Sequence, residues 1–345
     1  HERHMRAAFT DGGRTLEVRE VPDPVPGEGE VLFEVRASGM CGSDLHAYRA
    51  PVGSGSGLPI GHEPCGVVAG LGPGVDASAT PVGMRAIQHH YSGCGGCDQC
   101  MAGWTQLCRV SYIGYGYEAP GSHAQYMVVP ADTLVPLPDE VSFTAGAAMA
   151  CGTGTAFQAL RRLVVGPGET VAVFGLGPVG LSATQFAASM GARVIGVDPV
   201  AERRSLAESM GADVTVDPAD GDSVEALWDL TGGRGAACGL DATGNATARN
   251  QMVRSLGTWG RGCFVGEGGD VTLDVSDDLL RRQITLHGSW TFSTAGVAEC
   301  ARYVARHGID VDMVFTHTWA LDDAPEAFRL FDAQVGAKAV ILPNG

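Results

Sequence analysis

Val171-Ala172-Val173-Phe174, followed by Gly175-Leu176-Gly177-Pro178-Val179-Gly180, decides half of the fold of this 345-residue chain. Four apolar residues read as a strand that runs straight into G-x-G-x-x-G, and a small-residue, apolar stretch over 180–190 then reads as a helix. In that setting the first glycine makes a tight turn, the second lets the backbone approach a pyrophosphate, and the third allows close helix packing. Pro178 and Val179 belong to the same phosphate-facing turn. Eighteen residues after Gly180, Asp198 closes the next apolar run, where a carboxylate accepts hydrogen bonds from both hydroxyls of an adenosine ribose. Such a carboxylate repels a 2′-phosphate, so the expected coenzyme is NAD rather than NADP. Arg203 or Arg204 could soften that choice, and Asp198 as a mere loop residue is the competing reading.

Working outward, the apolar runs 193–197, 214–216, 239–241 and 263–265 alternate with helical stretches, which argues for a doubly wound parallel sheet with helices on both faces. Residues before about 150 are different. They are rich in Gly, Pro and short β-type runs such as 31–35 and 66–69, and read as mostly β, with 50–57 as a surface loop. Beyond about 288 there is room only for a partial domain, expected to return to the first.

Composition bounds the function. With 45% hydrophobic and 18% charged residues the chain is globular and long enough for two domains. A formal net charge of -16 disfavours nucleic acid and anionic membranes as partners. No apolar run reaches the roughly 20 residues of a membrane span, and no signal-peptide pattern is read. Small-molecule partners and a cytoplasmic location are the expectations. His1, Glu2, Arg3 and His4 look like an expression remnant and are set aside.

Four of the ten cysteines, Cys94, Cys97, Cys100 and Cys108, form C-x2-C-x2-C-x7-C, a spacing that closes a tetrahedral four-thiolate site around one zinc. Gly93, Gly95, Gly96 and Gly103 let that loop curl. Four thiolates leave no open position, so this zinc is expected to hold structure. Elsewhere Cys41, His62 and Cys151 each follow a β-type run or flank a Gly-rich segment, and together could supply a Cys2His site with one position open. Scattered ligands of this kind are weak evidence singly, because a lone buried Cys or His is more often core.

In combination these segments closely resemble the zinc-dependent medium-chain alcohol dehydrogenase family. Cys41-Gly42-Ser43-Asp44-Leu45-His46, Gly61-His62-Glu63, the four-cysteine lobe, Cys151 and the nucleotide fingerprint occur in family order over nearly the whole chain. The resemblance implies a GroES-like β-barrel catalytic domain over 5–154, with the zinc lobe at about 90–110. It implies a Rossmann NAD-binding domain over 155–289, and a return to the catalytic domain over 290–345, with an active-site cleft at the junction. It implies two zinc ions per chain. Cys41, His62 and Cys151 look like catalytic zinc ligands, Glu63 like a nearby carboxylate, and Asp44 like the group orienting the histidine. Thr155 is similar to a threonine beside the nicotinamide, and Lys338, the chain's only lysine, to a basic residue on the coenzyme phosphates. Family members are usually homodimers or homotetramers.

The implied reaction is hydride transfer between an alcohol and NAD, with a bound cation acidifying the hydroxyl and its proton leaving through Ser43, the coenzyme ribose and His46. Ser43 and His46 as ordinary turn residues is the plainer alternative. By family register His90 and Glu267 are polar where simple-alcohol enzymes are apolar, with Trp290 and Phe292 as an apolar wall. A secondary, polyhydroxylated or amino-bearing alcohol such as a polyol, cyclitol or amino alcohol is therefore expected, unless His90 and Glu267 face solvent or bond each other. Two other functions stay open: a carbonyl reductase acting on simple substrates, and a non-catalytic zinc-braced NAD-binding protein.

Overall fold

The computed structural model describes residues 3–345, which divide into two compact units. One comprises the chain up to Gly154 together with Phe292–Gly345, and the other Thr155–Thr291. Trp290 and Thr291 thus belong to the second unit, two residues beyond the boundary expected at 289. His1 and Glu2, set aside above, lie outside the described residues, and His4 opens a strand.

In the first unit the main sheet runs in the order Phe315–Ala320, Lys338–Leu342, Glu30–Gly39, Glu63–Leu71, Arg85–Gln88, Leu134–Pro136, with Tyr126–Pro130 also paired to Glu30–Gly39. Strand Glu30–Gly39 shows why: Val31, Phe33, Val35 and Ala37 are fully buried while the intervening residues are not, the period-two pattern of a sheet with one wet face. Val31, Phe33 and Val35 meet Val68, Ala86, Met127 and Val129 in one core, and each large one contributes about 1.5–3 kcal/mol by leaving water. The expected return of the C-terminal segment takes the form of an antiparallel pairing, Val340 with Gly39 and Ile341 with Ser38. This pairing brings Lys338 to the C-terminal end of Glu30–Gly39, beside Met40.

The second unit holds six parallel strands in the order Val214–Val216, Arg193–Val197, Thr170–Phe174, Ala236–Asp241, Leu256–Phe264, Thr285–Gly288. Strand order therefore reverses beside Thr170–Phe174, the topological switch point at which doubly wound sheets bind nucleotides. Phe174, Ile195, Leu227 and Met252 fill its core. Leu256–Phe264 starts well before the apolar run 263–265, because Gly257, Gly260 and Gly262 hide the strand from a hydrophobicity reading. Among the described residues no helix is long and apolar enough to cross a membrane.

Candidate functional site

Cys41, His62 and Cys151 meet in the first unit, and Glu63 joins them: one ligand atom from each lies within 4.8 Å of the others. Two sulfurs on one tetrahedral zinc stand roughly 3.8 Å apart, given a Zn–S distance of about 2.3 Å, so this donor set fits a single zinc ion. Its supports are built locally. Asp44, 5% exposed, accepts the Cys41 backbone N–H at Oδ2 (2.8 Å) and the His62 Nδ1 proton at Oδ1 (2.8 Å). That assignment of the tautomer leaves the Nε2 lone pair for a metal. The Cys151 thiol, by hydrogen bonding, holds Cys41 well below the ordinary thiol range despite its burial, while Cys151 itself is pushed well up. A cation held by both sulfurs would favour the thiolate form of each.

Glu63 sits behind the cage with no exposed surface. Its Oε1 has no hydrogen-bond partner, and Oε2 lies 2.6 Å from Lys338 Nζ, which also donates to Met40 O at 3.0 Å. Although Oε2 counts as unbonded by hydrogen-bond angle, the ion contact is close enough to be the interaction that matters. Burial pushes the carboxyl up to about 7 against the pull of Lys338 and with the push of Cys41. A Cβ at Gly39 would come within 1.9 Å of Glu63 Oε2, so any other residue there would displace the carboxylate from its place beside Lys338. Lys338 is thus a correction to the expected free phosphate-binding amine: it is 2% exposed and paired inside the first unit. Sequence carries no sign of this partner, which comes from another strand.

Ser43 Oγ stands 3.3 Å from Cys41 Sγ and 3.3 Å from His62 Nε2. His46 is exposed on the short helix Asp44–Arg49 and shares only a backbone bond with Ser43. Tyr117, which the sequence did not single out, donates its hydroxyl to Ser43 Oγ at 3.1 Å and packs its ring 5.1 Å from that of His62. His90 is buried, its ring 5.0 Å from His62 and its Nδ1 3.2 Å from the Ala150 carbonyl. Burial drives its pKa well below the ordinary imidazole value, with His62 adding to the effect. Phe292 is buried, its carbonyl accepting from His89 Nε2 (3.0 Å) and Gln106 Nε2 (2.9 Å). Glu267 is exposed in the second unit, where Trp290 is 37% exposed.

Cys94, Cys97, Cys100 and Cys108 form a second cluster whose four sulfurs also lie within 4.8 Å of one another. Backbone N–H groups of Cys94 and Val110 point at Cys108 Sγ (3.3 and 3.4 Å), and the first of these leads in lowering its thiol to about 6. Gly93 is fixed by sterics, since a Cβ would meet Cys100 Sγ at 2.4 Å, whereas Gly96 faces open space. Four soft donors with backbone amides on one sulfur fit a closed zinc site.

In the second unit Gly175 has φ +89° and Gly180 packs so closely that a Cβ would lie 1.7 Å from the Gly175 carbonyl. Gly177 differs, for a Cβ there meets nothing within 4 Å. No contact within the chain demands a glycine at 177, which suits a position that a ligand approaches. Helix Pro178–Ser189 begins there with no side-chain cap, leaving its first N–H groups and dipole available to phosphate. Asp198 is 4% exposed, one oxygen accepting from Leu176 N and the other from Val200 N, both at 2.8 Å. Arg204 is engaged by Asp217 at 3.0 Å and by the Asp198 carbonyl at 2.8 Å, and Arg203 lies half-buried on the same helix. Thr155 is buried near the start of helix Gly152–Leu163.

Two family models match the chain: an alcohol dehydrogenase GroES-like domain over 27–139 and a zinc-binding dehydrogenase domain over 178–306. An uncharacterised zinc-type alcohol dehydrogenase-like protein, YphC, of Escherichia coli is 36% identical over 98% of both chains. An alcohol dehydrogenase of Geobacillus stearothermophilus is 32% identical, again over 98% of each. Among solved structures, a zinc-binding dehydrogenase of Sinorhizobium meliloti bound to NADP superposes with a TM-score of 0.88 at 29% identity, covering 99% of this chain and 100% of that one.

Proposed function

This chain belongs to the zinc-binding alcohol dehydrogenase family, and from that premise we propose that it oxidises a polar secondary alcohol, or reduces the matching ketone, at the Cys41, His62, Cys151 cage. Zinc and a nicotinamide dinucleotide are its cofactors; when bound they supply, respectively, acidification of a hydroxyl to near neutrality and uptake of a hydride. The observation that carries the assignment is the cage itself, with a serine hydroxyl 3.3 Å from two of its donors. In the relay that the resemblance implies, Ser43 would take up the substrate's proton while giving its own onward, by way of the coenzyme ribose, toward exposed His46 and solvent. Asp44 keeps His62 in the tautomer that ligates. Glu63 and Lys338 form a buried ion contact beside the ligands.

In the second unit the Gly175 to Gly180 turn cradles pyrophosphate through backbone amides, and Asp198 takes the ribose hydroxyls with the lone pairs its two amide donors leave free. NAD over NADP follows from that buried acceptor and from Arg204 being engaged with Asp217. Thr155 is assigned to the nicotinamide side by resemblance. The polar-alcohol reading rests on His90, since Glu267 is exposed. A homodimer or homotetramer is the expected assembly, read by sedimentation.

The deciding experiment counts zinc and follows NADH formation. About two zinc ions per chain with alcohol-dependent NADH production supports the assignment, and one zinc per chain with nucleotide binding alone supports a non-catalytic role. A panel of polyols, amino alcohols and linear alcohols then tests the substrate class, and preference for long aliphatic alcohols overturns it.

A further inference from the structure

Ser43 occupies the N-cap of helix Asp44–Arg49, the position at which a serine normally turns its hydroxyl back onto the helix N–H groups. It does not: its own backbone is helical (φ −69°, ψ −24°), the amides of Asp44, Leu45 and His46 bond the Cys41, Gly42 and Ser43 carbonyls, and the side chain faces the cage. Besides Cys41 Sγ and His62 Nε2 it meets the Tyr117 hydroxyl, which donates to it at 3.1 Å and also lies 3.1 Å from His62 Nδ1. Tyr117 is itself set by a tight turn. Glu118 N and Ala119 N both bond the Gly114 carbonyl (2.9 and 3.2 Å), and the Glu118 carboxylate returns to Gly114 N at 2.8 Å. Gly116, at φ +93°, lies so close to Gly61 that a Cβ would come within 2.4 Å of its carbonyl. The turn is thereby clamped beside the histidine ligand, with the phenol ring over His62.

We propose that Tyr117 is a positioning residue for the reaction, fixing the Ser43 hydroxyl in the rotamer that faces the metal-binding cage. A serine hydroxyl has one proton and two lone pairs. With Tyr117 donating to one lone pair, one acceptor site remains for an incoming hydroxyl, whose proton is taken up as Ser43 gives its own onward. Removing the phenol oxygen frees Ser43 to leave that rotamer, so the acceptor is present only part of the time. This inference rests on Ser43 being the acceptor of the substrate's proton.

The test is a double-mutant cycle of Tyr117→Phe and Ser43→Ala, with zinc content, chelator-driven zinc release and the crystal structure of the Phe variant measured alongside. Tyr117→Phe is expected to keep its zinc and its release rate, to lower kcat about tenfold with KM within about twofold, as for loss of one hydrogen bond, and to show Ser43 turned away from the cage. In the Ser43→Ala background the same change is expected to have no further effect. Independent, multiplying losses overturn the proposal, as does an unmoved Ser43. A rise in KM alone makes Tyr117 a pocket wall, and faster zinc release makes it a support of His62; either overturns it too. Full activity of Ser43→Ala removes the underlying reading and this inference with it, whereas an inactive Ser43→Ala beside an unaffected Tyr117→Phe refutes only the role of Tyr117.

Discussion

Gly177 and Gly180 belong to one sequence motif yet are glycine for different reasons, and replacing each by alanine separates them. At Gly180 the new methyl would start 1.7 Å from the Gly175 carbonyl oxygen and 2.8 Å from its carbon. Restoring a contact of about 3.2 Å requires the helix and the strand to part by roughly 1.5 Å, and overpacking of that kind costs about 3 kcal/mol. The second unit, residues 155–291, has an unfolding entropy of about 2.1 cal/mol/K per residue, so it loses roughly 3–4 °C per kcal/mol and about 10 °C in all. Gly177→Ala meets no atom within 4 Å and sits at φ −74°, a conformation alanine adopts freely. Its melting temperature should hold or rise slightly, since alanine orders the unfolded chain. The methyl would however stand where pyrophosphate approaches, and NADH affinity should fall at least about tenfold, or 1.4 kcal/mol. Differential scanning calorimetry and NADH fluorescence titration on both variants give the answer. A Gly177→Ala protein that melts lower, or that binds NADH like the parent, refutes the reasoning.

Cys41→Ser or His62→Ala should reduce zinc from about two ions per chain to about one and abolish turnover while NADH still binds; elemental analysis and the same titration check this, and an unchanged zinc count refutes the ligand set. Lys338, paired with Glu63 at 2% exposure, should resist an amine-selective reagent in the folded protein and react once it is unfolded, as peptide mass spectrometry would show; rapid labelling of the native chain contradicts the buried pair. Burial holds His123 down at about 4, below the ordinary imidazole value of about 6.5. A depressed folded value means the unfolded chain takes up the proton first, so this group's stability is complete above about 6.5 and is lost as pH falls toward 4, at up to about 1.4 kcal/mol per pH unit. His123→Phe should flatten the fall in urea midpoint over that window, and an identical slope in both proteins rules the argument out.

Local pattern was enough for much of this molecule. The turn at Gly175, the acid at Asp198, the curl of the four-cysteine loop and the alternation of Glu30–Gly39 are each dictated by neighbours a few residues apart, so residue type and spacing expose them. Glycine obscured the start of strand Leu256–Phe264, because a strand without side chains has no hydrophobic period to read.

What the sequence could not supply is any relation that depends on which distant segments share a sheet. Cys41, His62 and Cys151 were weak ligand candidates singly and gained weight from a family resemblance; their convergence required strands Glu30–Gly39 and Glu63–Leu71 to pair, with the segment before helix Gly152–Leu163 alongside. Lys338 changed from a free amine to the partner of Glu63 because the last strand docks antiparallel on Glu30–Gly39. Tyr117 had no signal at all in a Gly-rich turn, and gained one only when Gly116 was seen pressed against Gly61. Sequence fixes the chemistry a side chain can perform and the short-range geometry of its backbone; tertiary pairing decides which of those chemistries come within hydrogen-bond reach of one another.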